Sequence, residues 1–367
     1  MPSIPTFHKA YVVQGTKGVF KTIPVPKIGA GEILIKVEAV AINPTDWKHI
    51  GFDIGEEAVV GCDVAGTVVD VADDVRDFKA GDQVFGLVSG ANRFSPDNGA
   101  FAEYARLIAN RTLKASVKFT HSGSDLPVGP VINWEGAASL PVGLYTALMA
   151  FNYYGKISIE DHPEFHDEYF LVWGGSSSLG QAVIQIARKV GFKVIATASK
   201  HNFETLDKLF VEKCFDYHDD DVLDQIKKYT GGKLAYAYDT ITAPPTTINV
   251  YSVLPKDRES TLFISLPFDA STVKEPNPKV SIKFPLAYLA IDKKKDIEGI
   301  QHSPDGLFES TIQAIKTVND NWAKNPQYLQ HMPVKILKGG IDAIPEGLEL
   351  VKAGKNSGVK IVVPIVE

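Results

Sequence analysis

The sequence predicts an α/β protein in two parts, a β-rich first part followed by a doubly wound parallel sheet. Three observations carry this expectation. Up to about Ala138 the chain consists of short β-branched runs separated by Gly, Pro and Asp, the pattern of strands and turns. From about Leu140 helical and strand patterns alternate, which implies right-handed crossovers and a parallel sheet covered on both faces. Within that second part the unbroken apolar run Tyr169-Phe170-Leu171-Val172-Trp173 ends in Gly174-Gly175-Ser176-Ser177-Ser178, and apolar residues recur at helical spacing from Leu179 onward. A buried strand, a tight turn and a helix start therefore follow one another.

Strands are expected in the first part at Lys9 to Val13, Ile33 to Val40, Gly66 to Val71 and Gln83 to Leu87. A helix from Val142 to Tyr154 leads into the strand Phe170 to Trp173, with the polar insert Gly155 to Glu168 between them as a surface loop. After the glycine-serine turn come a helix, the strand Lys193 to Ala198, a helix from Val222 to Tyr229 and a strand from Ala235 to Tyr238. The cluster Asp219-Asp220-Asp221 opens that second helix, where carboxylates suit the positive end of the dipole. From about Gln301 the chain carries a helix at Glu309 to Trp322, a short β pattern at Val334 to Leu337 and a final strand at Lys360 to Ile365. No internal repeat or low-complexity tract interrupts this order.

The glycine-serine turn is the main chemical signal. Backbone N–H groups at a helix start point toward an anion, and the helix dipole favours its charge. A dinucleotide fingerprint places glycine at three positions of this turn; Gly175 and Gly180 fit the first and last, while Ser177 stands at the middle one. In a Rossmann unit an acidic residue about 20 residues after the turn holds the ribose 2′-OH of NAD, whereas a basic residue accommodates the 2′-phosphate of NADP. The strand Lys193 to Ala198 ends in Ser199-Lys200-His201-Asn202, with no Asp or Glu. The expected cofactor is therefore NADPH; the plain alternative is that Lys200 is a solvated surface lysine.

Composition narrows the remaining classes. At 367 residues the chain is long enough for two domains, and 44% hydrophobic with 22% charged residues is ordinary for a globular protein. A formal net charge of -6 without long blocks of one sign gives no footprint for nucleic acid or an anionic membrane. The start, Met1-Pro2-Ser3-Ile4-Pro5, lacks a basic region followed by an apolar core, and no apolar run approaches membrane-spanning length. Two cysteines, Cys62 and Cys214, form no disulfide framework and suit a reducing compartment. A cytoplasmic enzyme is the expectation.

Several ordered motifs then carry a resemblance over nearly the whole length. They are Asn43-Pro44-Thr45-Asp46-Trp47-Lys48, Gly61-Cys62-Asp63-Val64-Ala65-Gly66, Phe78-Lys79-Ala80-Gly81-Asp82-Gln83-Val84-Phe85-Gly86, Asn98-Gly99-Ala100-Phe101-Ala102-Glu103-Tyr104, Glu135-Gly136-Ala137-Ala138-Ser139-Leu140-Pro141-Val142-Gly143 and Gly354-Lys355-Asn356-Ser357-Gly358. With them the chain resembles the zinc-independent members of the medium-chain dehydrogenase/reductase superfamily, in particular quinone-oxidoreductase-like proteins and the fungal trans-acting enoyl reductases. The resemblance implies a GroES-like β-rich catalytic domain over 1–139, a Rossmann cofactor domain over 140–300 and a return to the catalytic domain over 301–367. Zinc-dependent relatives have a Cys near the position of Asn43, a His near that of Cys62 and a four-cysteine lobe. None of these ligands is present, and catalytic zinc needs three protein ligands. Cys62 reads as a small buried hydrophobe, and Pro163 argues against a helical metal pair from His162 and His166.

The resemblance also assigns residues. Thr45, Lys48 and Thr146 are expected to line the nicotinamide pocket, the threonines positioning the carboxamide or the substrate carbonyl. Lys48 is expected to stabilise developing charge or deliver a proton; its alternative is a lysine paired with Asp46 or with a cofactor phosphate. Tyr145 is a second acid by position and a core aromatic by its apolar helix. Asn43 is carried over as a cofactor-binding residue with Ser176, Ser177, Ser178, Leu179 and Gly180 at the pyrophosphate. Ser199, Lys200, His201 and Asn202 are placed at the 2′-phosphate, Tyr217 near the adenine, Leu266 and Pro267 at the nicotinamide edge, and Asn356 and Ser357 on the C-terminal return. Tyr217 also reads as packing at a strand end. Asp63 and Asp82, beside glycines, read as loop-fixing.

A nucleophile elbow would need Gly-x-Ser-x-Gly, and Gly174-Gly175-Ser176-Ser177-Ser178 lacks its last glycine. The expected activity is hydride transfer from NADPH to an enone, enoyl thioester, quinone or aldehyde, without zinc. The alternatives are a trans-acting enoyl reductase partnered with a polyketide synthase, and an NADPH-binding sensor without turnover. A monomer and a homodimer both fit, and the pocket wall is expected from the loops Gly90 to Asn98 and Lys274 to Tyr288.

Overall fold

The computed structural model describes residues 3–51, 55–296 and 299–365. The chain divides into two compact units, Met1–Val142 with Tyr288–Glu367, and Gly143–Ala287. It re-enters the first unit at Tyr288, earlier than the expected return near 301.

The first unit is built on a seven-stranded sheet in the order Val334–Ile336, Lys360–Pro364, Glu32–Ala41, Asp63–Val71, Gln83–Leu87 and Leu113–Lys114, with Tyr104–Ile108 also paired to Glu32–Ala41. Its long central strands alternate β-branched residues, and the inward set Ile33, Ile35, Val37, Val64, Val68 and Val84 forms a continuous core. Each such side chain contributes roughly 1.5–3 kcal/mol when fully buried. The strand Phe7–Gln14 pairs antiparallel with Lys17–Pro24, a partner whose mixed polarity hid it in the sequence. The C-terminal strand Lys360–Pro364 pairs with Ala39–Ala41, so the last residues close the sheet on which the Asn43 motif begins.

The second unit is a six-stranded parallel sheet. Its strands are ordered Lys213–Asp216, Lys193–Ala198, Tyr169–Trp173, Leu234–Asp239, Ser260–Ile264 and Val280–Lys283. In chain order this is 3-2-1-4-5-6, the Rossmann order, and right-handed crossovers then place helices on both faces. The strand order reverses between Tyr169–Trp173 and Leu234–Asp239, which makes their C-terminal ends the topological switch point. The helix Ser178–Val190 is capped by the Ser177 hydroxyl and ends at Gly191, whose φ of 113° places it in the left-handed region. Its buried face includes Val183, Ile184, Ile186, Ala187 and Val190.

One expectation changes in detail. The helix from Pro141 is α only to Leu148; Met149–Tyr154 continues as a wider π turn that closes with the Gly155 N–H donating to the Ala150 carbonyl. Phe151 in that turn stacks on Phe170 at 5.2 Å. The insert after it runs as the expected surface loop, with the added detail that Phe165 stacks on Phe192 at 4.3 Å.

Candidate functional site

In the second unit the glycine-serine turn stands at the switch point. Gly174 has a φ of 81°, and a Cβ at Gly180 would fall 2.4 Å from the Gly174 carbonyl oxygen. Helix and turn therefore approach as closely as glycine allows. The Ser177 hydroxyl accepts the Gly180 N–H at 2.9 Å and also meets the Thr240 hydroxyl at 3.0 Å. The Thr240 hydroxyl in turn lies within hydrogen-bond distance of the carbonyls of Trp173 and Gly174, at 2.9 and 3.1 Å, and so ties the turn to the neighbouring strand. Sequence reading had not singled out Thr240, because no motif marks a lone threonine after a strand. The N–H groups of Ser178 and Leu179, in the first turn of the helix, have no intrahelical acceptor. A narrow glycine turn with such donors at a helix start fits a dinucleotide pyrophosphate.

At the end of the next strand, Ser199 Oγ lies 2.9 Å from the Tyr217 hydroxyl, which brings together a residue expected at the 2′-phosphate and one expected near the adenine. Lys200 is exposed, with its ammonium 3.7 Å from Asp216 and 3.8 Å from Asp219. Asp216 is the last residue of the adjacent strand Lys213–Asp216, so a carboxylate does reach this corner, from a strand away. It accepts the His218 backbone N–H at 3.0 Å and faces the His218 Nδ1 at 2.6 Å; the His218 backbone N–H, first among several causes, lowers the Asp216 pKa below its ordinary value. His201 is exposed, and its Nε2 is 3.2 Å from the buried Asn202 Nδ2. Leu266 and Pro267 are exposed just after the strand Ser260–Ile264. Tyr145 and Thr146 are both buried on the helix Pro141–Leu148, Tyr145 completely.

In the first unit the helix Pro44–Gly51 presents Thr45 and Lys48. Lys48 is half-buried, with its ammonium 5.7 Å from the centre of the Trp47 ring. Asp46 does not hold Lys48: its Oδ2 accepts the Asn43 N–H at 2.7 Å, and burial pushes its carboxyl pKa up to about 7. The Asn43 side chain is engaged on both ends, with Nδ2 donating to Asp63 at 2.8 Å and Oδ1 accepting from Lys360 at 2.5 Å. Lys360 also pairs with Asp63 at 2.8 Å, both being buried, and the other Asp63 oxygen accepts the Val142 N–H at 2.6 Å. Asn43 thus belongs to a buried network that ties the C-terminal strand to the Gly61 motif. Asp82 accepts the Lys79 N–H and pairs with Lys114. Asn356 caps its own turn through the Val359 carbonyl, and Ser357 beside it is exposed.

Thr45 Oγ1 receives the hydroxyl proton of the buried Tyr288 at 2.7 Å and lies 3.1 Å from His49 Nε2. Sequence reading missed His49 and placed Tyr288 only as the end of an expected pocket-wall loop, with no role of its own. Tyr288 lies 243 residues along the chain from Thr45, and His49 becomes visible only once residues 44–51 are known to be helical, which puts Thr45 and His49 at i, i+4.

The donor set does not fit a zinc ion. Cys62 is buried with Sγ 3.9 Å from the Tyr288 hydroxyl, burial raises its thiol well above the ordinary value, and the Asn43 amide is engaged. His162 and His166 turn to different carboxylates, Glu164 and Asp161. Among the described residues no group of three or more His, Cys, Asp or Glu is arranged to hold a metal.

Two family descriptions match the chain, "Alcohol dehydrogenase GroES-like domain" over residues 29–117 and "Zinc-binding dehydrogenase" over residues 178–316. An uncharacterized protein of Saccharomyces cerevisiae is 38% identical over 380 residues, covering 98% of each chain. A trans-enoyl reductase of Penicillium crustosum is 31% identical, covering 99% of each chain. The enoyl reductase component of the lovastatin nonaketide synthase of Aspergillus terreus is 31% identical, over 94% of this chain and 92% of that one. Among solved structures, an alcohol dehydrogenase superfamily protein from Novosphingobium aromaticivorans superposes with a TM-score of 0.76 at 21% identity, covering 99% of this chain and all of that one (100%). The CurK enoyl reductase gives 0.70 at 19% identity, with 97% and 99% covered. No described helix is long and apolar enough to cross a membrane.

Proposed function

The chain belongs to the medium-chain dehydrogenase/reductase superfamily, and from that premise we propose that it is an NADPH-dependent reductase of activated or conjugated carbonyls that works without zinc. The observation that carries this reading is the glycine-serine turn at the switch point of a six-stranded parallel sheet, with donors aimed outward from the start of the helix Ser178–Val190. Ser176 to Gly180 hold the pyrophosphate, Ser199 and Lys200 take the adenosine 2′-phosphate, and Tyr217 lies near the adenine. A bound nicotinamide supplies the hydride. Lys48 and Thr45 supply positive charge and a hydrogen-bond donor at the oxygen that gains negative charge, the largest single contribution in such chemistry. The zinc-free part of the reading is supported by the engaged Asn43 amide and the buried Cys62 thiol.

A narrower reading is favoured by the enoyl reductases among the relatives: the substrate is an α,β-unsaturated thioester carried by a polyketide synthase. The experiment is an NADPH-oxidation screen of quinones, enones, aldehydes and enoyl thioesters, the thioesters offered both free and on a carrier protein. Turnover is expected with at least one class. Carrier-bound enoyl thioesters reduced well above all others support the narrower reading, and tight NADPH binding without oxidation by any acceptor would leave a cofactor sensor instead.

A further inference from the structure

Thr45 has one proton to give and two lone pairs to receive. One lone pair is taken by the Tyr288 hydroxyl at 2.7 Å, and Tyr288 itself faces the Cys62 thiol at 3.9 Å. The second contact is His49 Nε2 at 3.1 Å, and its direction depends on which ring nitrogen carries the hydrogen. His49 is buried, and burial first, with Lys295 and Lys48 adding repulsion, holds its pKa well below the ordinary value. The ring is therefore neutral, with a single N–H. Its Nδ1 is buried with no hydrogen-bond partner among the described residues. An orphaned buried N–H is rarer and costlier than an unused lone pair, so the hydrogen sits on Nε2 and is donated to Thr45. Both lone pairs of Thr45 are then occupied. Among the described residues nothing accepts the Thr45 proton, and the side chain is only partly covered.

We propose that Tyr288 and His49 are positioning residues that fill the acceptor side of Thr45 and so commit its hydroxyl to donate a hydrogen bond to the carbonyl oxygen of the substrate. This rests on the reductase reading above and deepens it. Two donors on one oxygen also polarise its O–H and strengthen the bond it gives. Tyr288 is fixed from behind by the buried Lys295 ammonium, 5.1 Å from its ring centre, and Lys295 is anchored on the Gly90 carbonyl at 2.6 Å. The assembly is preformed, as a donor aimed at developing charge requires.

Two measurements test it. The first needs no turnover: nitrogen NMR of histidine-labelled protein, with the His49 signals assigned by their loss in His49→Gln. A neutral ring protonated on Nε2 from pH 5 to 8 is expected; an Nδ1-protonated ring, or one that titrates in this range, overturns the proposal. The second is a double-mutant cycle on kcat and on the NADPH dissociation constant. Thr45→Val is expected to lower kcat by about 10² with unchanged NADPH affinity. Tyr288→Phe, which keeps the ring, is expected to lower kcat about tenfold when Thr45 is present and not at all in the Thr45→Val background. His49→Gln, which retains an N–H donor, is expected to keep more activity than His49→Leu. Equal loss from Tyr288→Phe in both backgrounds, or weakened NADPH binding with kcat intact in Thr45→Val, overturns the assignment to the substrate oxygen. Thermal melts of each variant separate these outcomes from misfolding. A protein that binds NADPH and reduces nothing defeats the reductase reading, and the NMR result still decides whether Thr45 is locked as a donor.

Discussion

The Lys200 ammonium stands 3.7 Å from Asp216, a carboxylate brought from the end of the neighbouring strand and already bound to the His218 N–H. The corner that would receive the adenosine ribose thus holds both a cation and an anion. Lys200 is largely exposed, with 71% of its side chain accessible, whereas Asp216 keeps only 9%. The flexible cation is free to turn toward a phosphate; the carboxylate is not free to leave.

NADPH is accordingly expected to bind more tightly than NADH. Loss of the Lys200 contact should cost on the order of 1.5–3 kcal/mol, the range for charge-assisted hydrogen bonds. Titration of both cofactors against the unmodified protein and Lys200→Ala measures this. Asp216→Asn removes the opposing charge and should raise the preference for NADPH a few-fold. Equal affinities of the unmodified protein for the two cofactors would refute the assignment.

The same corner shows how far the sequence could be read. The turn and its helix were legible because glycine, serine and an apolar period lie within a few residues of one another. Asp216 was not, since it neighbours Lys200 only through the parallel pairing of Ala198 with Asp216. The strands Ser260–Ile264 and Val280–Lys283 were missed for a related reason. They are short, and Val280–Lys283 forms the sheet edge with partly covered residues, which weakens any apolar signal. In the first unit the motif residues Asn43, Thr45 and Asp63 were found, but their partners Lys360 and Tyr288 come from the far end of the chain. Spacing in the sequence carries no trace of such contacts.

Metal removal should leave activity unchanged. The residues around Asn43 and Cys62 offer an engaged amide and a thiol that burial keeps protonated, whereas zinc binds the thiolate. Elemental analysis of purified protein and an assay after exhaustive chelation provide the check. Stoichiometric zinc lost together with activity would contradict the zinc-free reading.

His121 makes part of the stability depend on pH. Its ring lies 2.8 Å from the buried Glu135 and 3.5 Å from Glu38, and hydrogen bonds to Glu135 first and Glu38 second raise its pKa to about 9. Because the folded value lies above the unfolded one, the contribution is complete below about pH 6.5 and is lost as the pH rises through about 9. At this partly exposed ring, solvent screening leaves on the order of 1 kcal/mol. Melting temperatures from pH 6 to 9.5 should fall more for the unmodified protein than for His121→Gln; parallel curves would show that the pair contributes nothing.

Lys48 separates a chemical role from a structural one. Among the described residues no carboxylate pairs with it; Asp46, the nearest acid in sequence, is turned to the Asn43 N–H, and the ammonium has only the Trp47 ring at 5.7 Å. An unpaired ammonium on a half-buried helix face is available to stabilise an enolate or alkoxide as it forms. Lys48→Met keeps much of the side-chain volume and removes charge and donors. If Lys48 acts on the reacting oxygen, kcat should fall by about 10² to 10³, the loss seen when one such donor is removed. If it only holds cofactor phosphate, the NADPH dissociation constant should rise while kcat at saturation stays near that of the unmodified protein. Both constants, measured with the best acceptor from the screen, decide between the two. An unchanged kcat at saturating NADPH and acceptor would remove Lys48 from the chemistry and leave the Thr45 hydroxyl as the proposed donor at the substrate oxygen.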